Sequence, residues 1–114
     1  MGLIEINIGK DFSYSPGPRY IEEGKHSGEQ FRKEILYPKI KEALASDSKV
    51  IVNLDGTNGY GTSFLEEAFG GLIRINELDY NEIISHLVII SNEEDYLKDD
   101  VYEYLKDANE ETSK

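Results

Sequence analysis

Ser63 is the residue whose surroundings point most directly to chemistry. It follows a glycine-rich turn, Asp55-Gly56-Thr57-Asn58-Gly59-Tyr60-Gly61, and opens an amphipathic run beginning Thr62-Ser63-Phe64-Leu65-Glu66-Glu67. A strand that gives way to such a turn and then to a helix N-terminus offers free backbone N–H groups and the positive end of the helix dipole, which attract an anion. The segment nevertheless lacks the Gly-Lys-Ser/Thr of a phosphate-cradling loop and the spacing of the dinucleotide fingerprint. Glu66 and Glu67 also oppose a bound anion. Two compatible roles for Ser63 follow. With Glu66 three positions on, it has the spacing of a capping box, and a cap contributes about 1 kcal/mol. Alternatively, its hydroxyl is a modification site. A phosphate there would sit at the favourable end of a helix and add nearly two negative charges to a partner-facing surface. Thr62 offers a second hydroxyl beside it.

Other reactive constellations are sparse. There are no cysteines, which removes disulfides, thiol chemistry and cysteine zinc sites. His26 and His86 are the two histidines, and neither has a second ligand at helical spacing, so no metal site is expected. No Ser-His-Asp order is evident. A catalytic reading requires Arg19, Tyr20, His26, Asp55 and Ser63 to converge at strand ends, where α/β proteins carry their sites. No spacing beyond that supports an enzyme, and no cofactor is implied. Arg19, Tyr20 and Ser27 remain candidates for touching a small ligand.

The elements that must position these residues follow from periodicity. Leu3 to Ile8 alternates with Glu5 and Asn7 as a half-buried strand does. Asp11 to Gly24, with Pro16-Gly17-Pro18, reads as a loop with a short strand at Arg19 to Ile21. Ser27-Gly28-Glu29-Gln30 has capping-box spacing. Phe31, Ile35, Leu36, Ile40 and Leu44 then mark one helical face, with a kink or restart expected at Pro38. Val50 to Leu54 and Leu87 to Ile90 read as buried strands, the first of them central. Leu65, Ala68, Phe69, Leu72, Ile73 and Ile75 give a second helix. Its internal Gly70-Gly71 suggests close approach of another backbone or a break. Tyr80 to Ser85 suggests a helical turn. A last helix capped by Asn92 carries Leu97, Val101, Tyr104 and Leu105 before a polar tail that frays from about 108. Strand, loop, helix, strand, helix, strand, helix implies an α/β protein with a partly parallel sheet.

Composition bounds the class. The 114 residues, 39% hydrophobic and 31% charged, suit one globular domain spanning 1–114. A net charge of -11 repels phosphate backbones and anionic membranes. The cationic cluster Lys33, Lys39 and Lys41 is interleaved with Glu34 and Glu42 and reads as a solvated face. No apolar run is long enough to cross a bilayer. The opening residues lack a basic region followed by an apolar stretch, so the cytoplasm is the expected compartment. No nucleic-acid or membrane partner is expected, and the oligomeric state is open.

Several of these residues together carry a family resemblance. Val50 to Gly56, Thr62 to Leu65 and Gly70-Gly71-Leu72 resemble the core of STAS domains, the sulfate-transporter and anti-sigma-factor-antagonist family. The closer resemblance is to the STAS-like proteins of unknown function. It rests on Gly17-Pro18-Arg19-Tyr20 with Ser27-Gly28-Glu29-Gln30-Phe31-Arg32, and on Asp55-Gly56-Thr57 with Gly59 to Gly71. The resemblance implies a mixed sheet of four to five strands with helices packed on it. In the antagonists a serine at the start of the second helix is phosphorylated by a GHKL-type ATPase, which switches off binding. That serine matches Ser63, and Thr62 matches a neighbouring hydroxyl. The chain departs from the antagonists at Gly61, where they carry Asp, and at Phe64, where they carry Gly.

The resemblance and the absence of a catalytic constellation together imply a non-catalytic regulatory module that binds a protein, either a GHKL-type ATPase/kinase or an anti-sigma-like protein. Its contacts would be drawn from Asp55, Gly59, Tyr60, Gly61, Phe64, Glu66 and Glu67. The alternative is a small-ligand or nucleotide sensor using the Gly56 to Ser63 turn.

Overall fold

A computed structural model describes residues 2–113. Three strands form one parallel sheet in the order β1 (Leu3–Asn7), β2 (Lys49–Asn53), β3 (Leu87–Ile90). The register sets Ile4 beside Val50 and Leu87, and Ile6 beside Val52 and Ile89. Ile6, Val50, Val52, Leu87 and Ile89 are buried and Ile4 is partly so; all join the helices in a single core. The sheet is therefore parallel and three-stranded, not mixed with four or five strands. Arg19 to Ile21 does not supply an extra strand. The chain instead makes a 3₁₀ turn at Ile21–Glu23, held by the Tyr20 N–H on the Glu23 carboxylate (2.9 Å).

Helix α1 (Ile8–Asp11) follows β1 directly and is capped by the Asn7 side chain, which accepts from the Lys10 N–H. Helix α2 runs without interruption over 28–46, as Gly28–Phe31, a π-helical stretch Arg32–Leu36, and Tyr37–Ser46. Ser27 Oγ caps it by accepting from Gln30 N at 3.0 Å, while the Gln30 side chain turns to Glu34. The π-helical stretch gives way to α-helix at Tyr37, so the helical pattern restarts at Pro38 as expected, with no break in the chain. A proline ring crowds the carbonyl four residues back, and the widened turn just before Pro38, where Tyr37 N–H reaches Arg32 O, makes room for it.

Helix α3 runs over 62–74, as Thr62–Leu65, a second π-helical stretch Glu66–Gly70, and Gly71–Arg74. Helix α4 (Tyr80–His86) is capped by Asp79, which accepts from Glu82 N at 3.0 Å. Helix α5 (Tyr96–Thr112) continues past the expected fraying point, because Ala108 is buried and anchors its last turn. Asn92 lies before this helix and does not cap it. Its N–H and amide donate to Asp55 instead.

The two helices of the central seam approach closely where Gly28 meets Phe64. A Cβ on Gly28 would collide with the Phe64 carbonyl, which is backbone and cannot turn aside. Phe31 and Phe64 stack here at 5.9 Å between ring centroids, with Phe12 and Tyr60 against them. Replacing Gly28 with Ala overpacks this contact and is expected to cost about 1–3 kcal/mol. A thermal melt of Gly28→Ala within a degree of the wild type would contradict the close approach.

Candidate functional site

Helix α3 opens at Thr62, with Gly61 as its N-cap and no side chain capping it. Ser63 is therefore the second residue of the helix, not its cap, because Gly61 holds the extended conformation required at the cap (φ −78°, ψ 151°). The Ser63 hydroxyl makes no hydrogen bond to the described residues and is half-buried, while Thr62 is exposed. The preceding turn needs its glycines at two points, Gly56 (φ 86°) and Gly59 (φ 119°), where side chains are disfavoured.

Four N–H groups of this turn are already bonded, two within it and two to neighbouring segments. Asp55 N donates to Asn53 Oδ1, Gly56 N to Glu93, Asn58 N to Tyr14 O and Gly59 N to Thr57 Oγ1. The Tyr60 hydroxyl donates to Leu54 O at 2.8 Å. Burial, with nearby carboxylates adding to it, pushes the Tyr60 phenol well above its ordinary range. Asp55 accepts from the N–H groups of Asn92 and Glu93, both at 2.9 Å, and so ties the turn to the segment after β3.

Just beyond Ser63 lies a network of ion pairs. The Arg32 guanidinium, 1% exposed, reaches the Glu67 carboxylate at 2.6 Å and the Glu67 carbonyl at 2.9 Å. Glu66 is gripped from two sides, by Arg19 and by Arg74 (2.6 Å), and Arg74 also approaches Glu111 at 3.6 Å. Arg19 lies 3.7 Å from Glu67 as well. Burial pushes the Glu66 carboxyl up, but the bonds and charges of Arg74 and Arg19 outweigh it and hold the group below the ordinary carboxylate range. Gly70 and Gly71 continue the helix without a break. What approaches them is not another backbone but the arginines: a Cβ on Gly71 would occupy the space of the Arg32 guanidinium.

The structure thus separates the residues singled out from the sequence. Gly59, Tyr60, Gly61, Thr62, Ser63 and Glu66 lie at or near the surface around the start of α3. Phe64 is fully buried and Glu67 is 5% exposed, so neither side chain is presented to a partner. Both are committed to the α2–α3 seam. Asp55 is half-buried and occupied by the 92–93 backbone. Arg19, Tyr20 and Ser27 form no shared ligand site: Ser27 is fully buried as a cap, Arg19 serves Glu66, and Tyr20 stands exposed with the Arg19 guanidinium 6.0 Å from its ring centre.

His26 packs edge-on against Phe12. His86 bonds Glu82 O and Asp47, which raise its pKa. Among the described residues, no group of three or more His, Asp or Glu is placed to hold a metal. No helix among them is long and apolar enough to cross a membrane. The sequence reading quoted Arg32 within the family resemblance but gave it no role, and it missed Arg74. A further signal was Gly70-Gly71, a gap in a helix that a large side chain from elsewhere could fill.

A three-stranded parallel sheet covered by helices on one side defines the class as α/β. More particularly, the chain belongs to the STAS-like domains of unknown function, whose family profile matches residues 27–97. The matched span runs from the α2 cap to the first turn of α5, and it contains both partners of the Arg32–Glu67 pair. No curated protein and no solved structure matches the chain.

Removing one member of a buried ion pair leaves the other uncompensated, at a cost of about 3–5 kcal/mol. Arg32→Met and Glu67→Leu are each expected to lose about that much, and the double variant is expected to recover most of it. Additive losses in denaturant titrations would show that the two are not coupled. Glu66 supplies a second check. Its depressed pKa contributes stability above the unfolded carboxylate pKa of about 4.3, and this is lost as pH falls through the lower folded value. The stability advantage of wild type over Glu66→Gln should therefore shrink on acidification below about pH 4. A gap in Tm that does not change with pH would count against it.

Proposed function

We propose that this chain is a non-catalytic regulatory module that binds a protein partner through the surface around the start of α3, and that phosphorylation of Ser63 switches this binding. The observation that carries the reading is the Ser63 hydroxyl itself. It lies in the first turn of α3, makes no hydrogen bond to the described residues, and has no capping duty.

The electrostatics also favour a phosphate there. Glu66 and Glu67, which would repel it, are compensated by Arg19, Arg74 and Arg32. The helix dipole adds about 0.3–1 kcal/mol of attraction for negative charge in the first turn. The resemblance to anti-sigma factor antagonists supports the same residue and a GHKL-type ATPase/kinase, or an anti-sigma-like protein, as the partner. Thr62, exposed beside it, is the second acceptor to consider. The surface offered comprises Gly59, Tyr60, Gly61, Thr62, Ser63 and the exposed edge of Glu66. The alternative nucleotide-sensing role for the Gly56 to Ser63 turn is weakened by its hydrogen bonds, which leave fewer N–H groups for a phosphate.

The test is intact-mass analysis after incubation with ATP and a GHKL-type ATPase encoded beside the protein, with Ser63→Ala and Thr62→Ala in parallel. The expected result is a gain of one phosphate that is lost in Ser63→Ala and kept in Thr62→Ala. Affinity for the ATPase should fall about tenfold or more on phosphorylation, equivalent to about 1.4 kcal/mol. An unmodified wild type, or a Ser63→Ala variant that still gains the phosphate, would overturn the reading.

A further inference from the structure

Parallel sheets normally lie buried on both faces, because the crossovers that join their strands place helices over them. This one does not. The strands succeed one another in a single direction, β1-β2-β3. Two right-handed crossovers advancing the same way put their helices on the same side. The opposite face carries Leu3, Glu5 and Asn7 from β1, Lys49, Ile51 and Asn53 from β2, and Val88 and Ile90 from β3. Leu3 is 67% and Val88 39% exposed, and Ile51 and Ile90 are only half-buried. A shallow hollow of about 240 Å³ crosses this face between Glu5, Asn7, Asp11, Ile51, Asn53 and Ile90.

We propose that this open face is the docking surface for one amphipathic helix of a partner protein, with an apolar stripe over Ile51, Val88 and Ile90 and lysine or arginine on the flank above Glu5 and Asp11. The dimensions suit a single helix. Three strands spaced about 4.8 Å apart hold their outer members about 10 Å apart, the diameter of one α-helix, about 10–12 Å. Five strand residues at about 3.3 Å each give about 16 Å of length, or about three helical turns.

Charge selects the flank. The hollow is edged by two carboxylates, and no lysine or arginine lines it among the described residues. Lys49, the cation of this face, has its ammonium bound to Ser85 O at the far end of the strand. The same arrangement disfavours a second copy of this chain. Stacking two such faces would press together two copies of net charge -11, each bringing Glu5 and Asp11 to the contact and no free lysine or arginine to offset them among the described residues. The face lies across the sheet from α3, so this docking is independent of the surface around Ser63.

The experiment uses an 18-residue peptide of leucine and lysine spaced for an amphipathic helix, titrated into the ¹⁵N-labelled protein. A scrambled peptide of identical composition is the control for charge alone. Amide shifts confined to β1, β2 and β3 are expected with the first peptide and not with the second. Binding should weaken about tenfold in Glu5→Lys and about tenfold or more in Val88→Lys. Glu5 is exposed and outside the core, so Glu5→Lys decides the matter even if Val88→Lys fails to fold. Equal shifts with the scrambled peptide would overturn the proposal, as would shifts centred on the acidic helices or undiminished binding by Glu5→Lys. Concentration-dependent dimerisation abolished by Val88→Lys would also overturn it, by assigning the face to a second copy.

Discussion

The Arg32 guanidinium is buried between α2 and α3, and its placement constrains much of what surrounds it. A charge removed from water survives only where it is paired and bonded. Glu67 supplies both the carboxylate and a backbone carbonyl. The guanidinium in turn needs volume on α3, and Gly71 provides it by carrying no side chain. Gly28, one helical turn before Arg32, lets α2 close against Phe64 so that the pair can meet. Arg19 then bonds Glu66 next door and draws the proline-containing loop over the seam. The two sequence segments that mark the family resemblance are thus the two sides of one contact. Their glycines, arginines and glutamates are explained by packing before any partner is invoked.

This distinction shapes the functional reading. Within a stretch that looks uniformly like a binding motif, side-chain direction divides the labour. Phe64, Glu67 and Gly71 face the seam, and Thr62 and Ser63 face water. Glu66 sits at the border, tied to two arginines yet still reachable. A modified Ser63 would therefore sit beside a charge-compensated network of ion pairs.

Much of the architecture was legible because it depends on short-range periodicity. The β-branched runs at 49–53 and 87–90 and the apolar spacing of the long helices specified the element order, and Ser27 announced its cap correctly. The misreadings arose where another residue, near or distant, took the role that a local pattern suggested. Ser63 and Asn92 each had the right type for a cap. Gly61 took the first cap position by backbone geometry, and Asp55 claimed Asn92 from across the sheet ends. The tail stayed helical because Ala108 found a buried place. The strand count came from the resemblance and from the short strand read at Arg19 to Ile21, and three runs among the described residues are strands. At the site, the start of α3 could be placed from sequence, but the ion pairs link residues 35 and 47 positions apart and leave no local trace.

The π-helical stretches in α2 and α3 carry a consequence for how the chain can vary in length. A π turn holds one residue more than an α turn spanning the same ends. An extra residue in a strict α-helix would rotate everything beyond it by about 100°, carrying Ile40 and Ala43, or Leu72 and Ile73, out of the core. Confined to a π turn, the extra residue leaves both flanking faces in phase. Loss of a single residue is therefore tolerable at 32–36 and 66–70, where it would turn a π turn into an α turn, in a way it is not elsewhere along these helices.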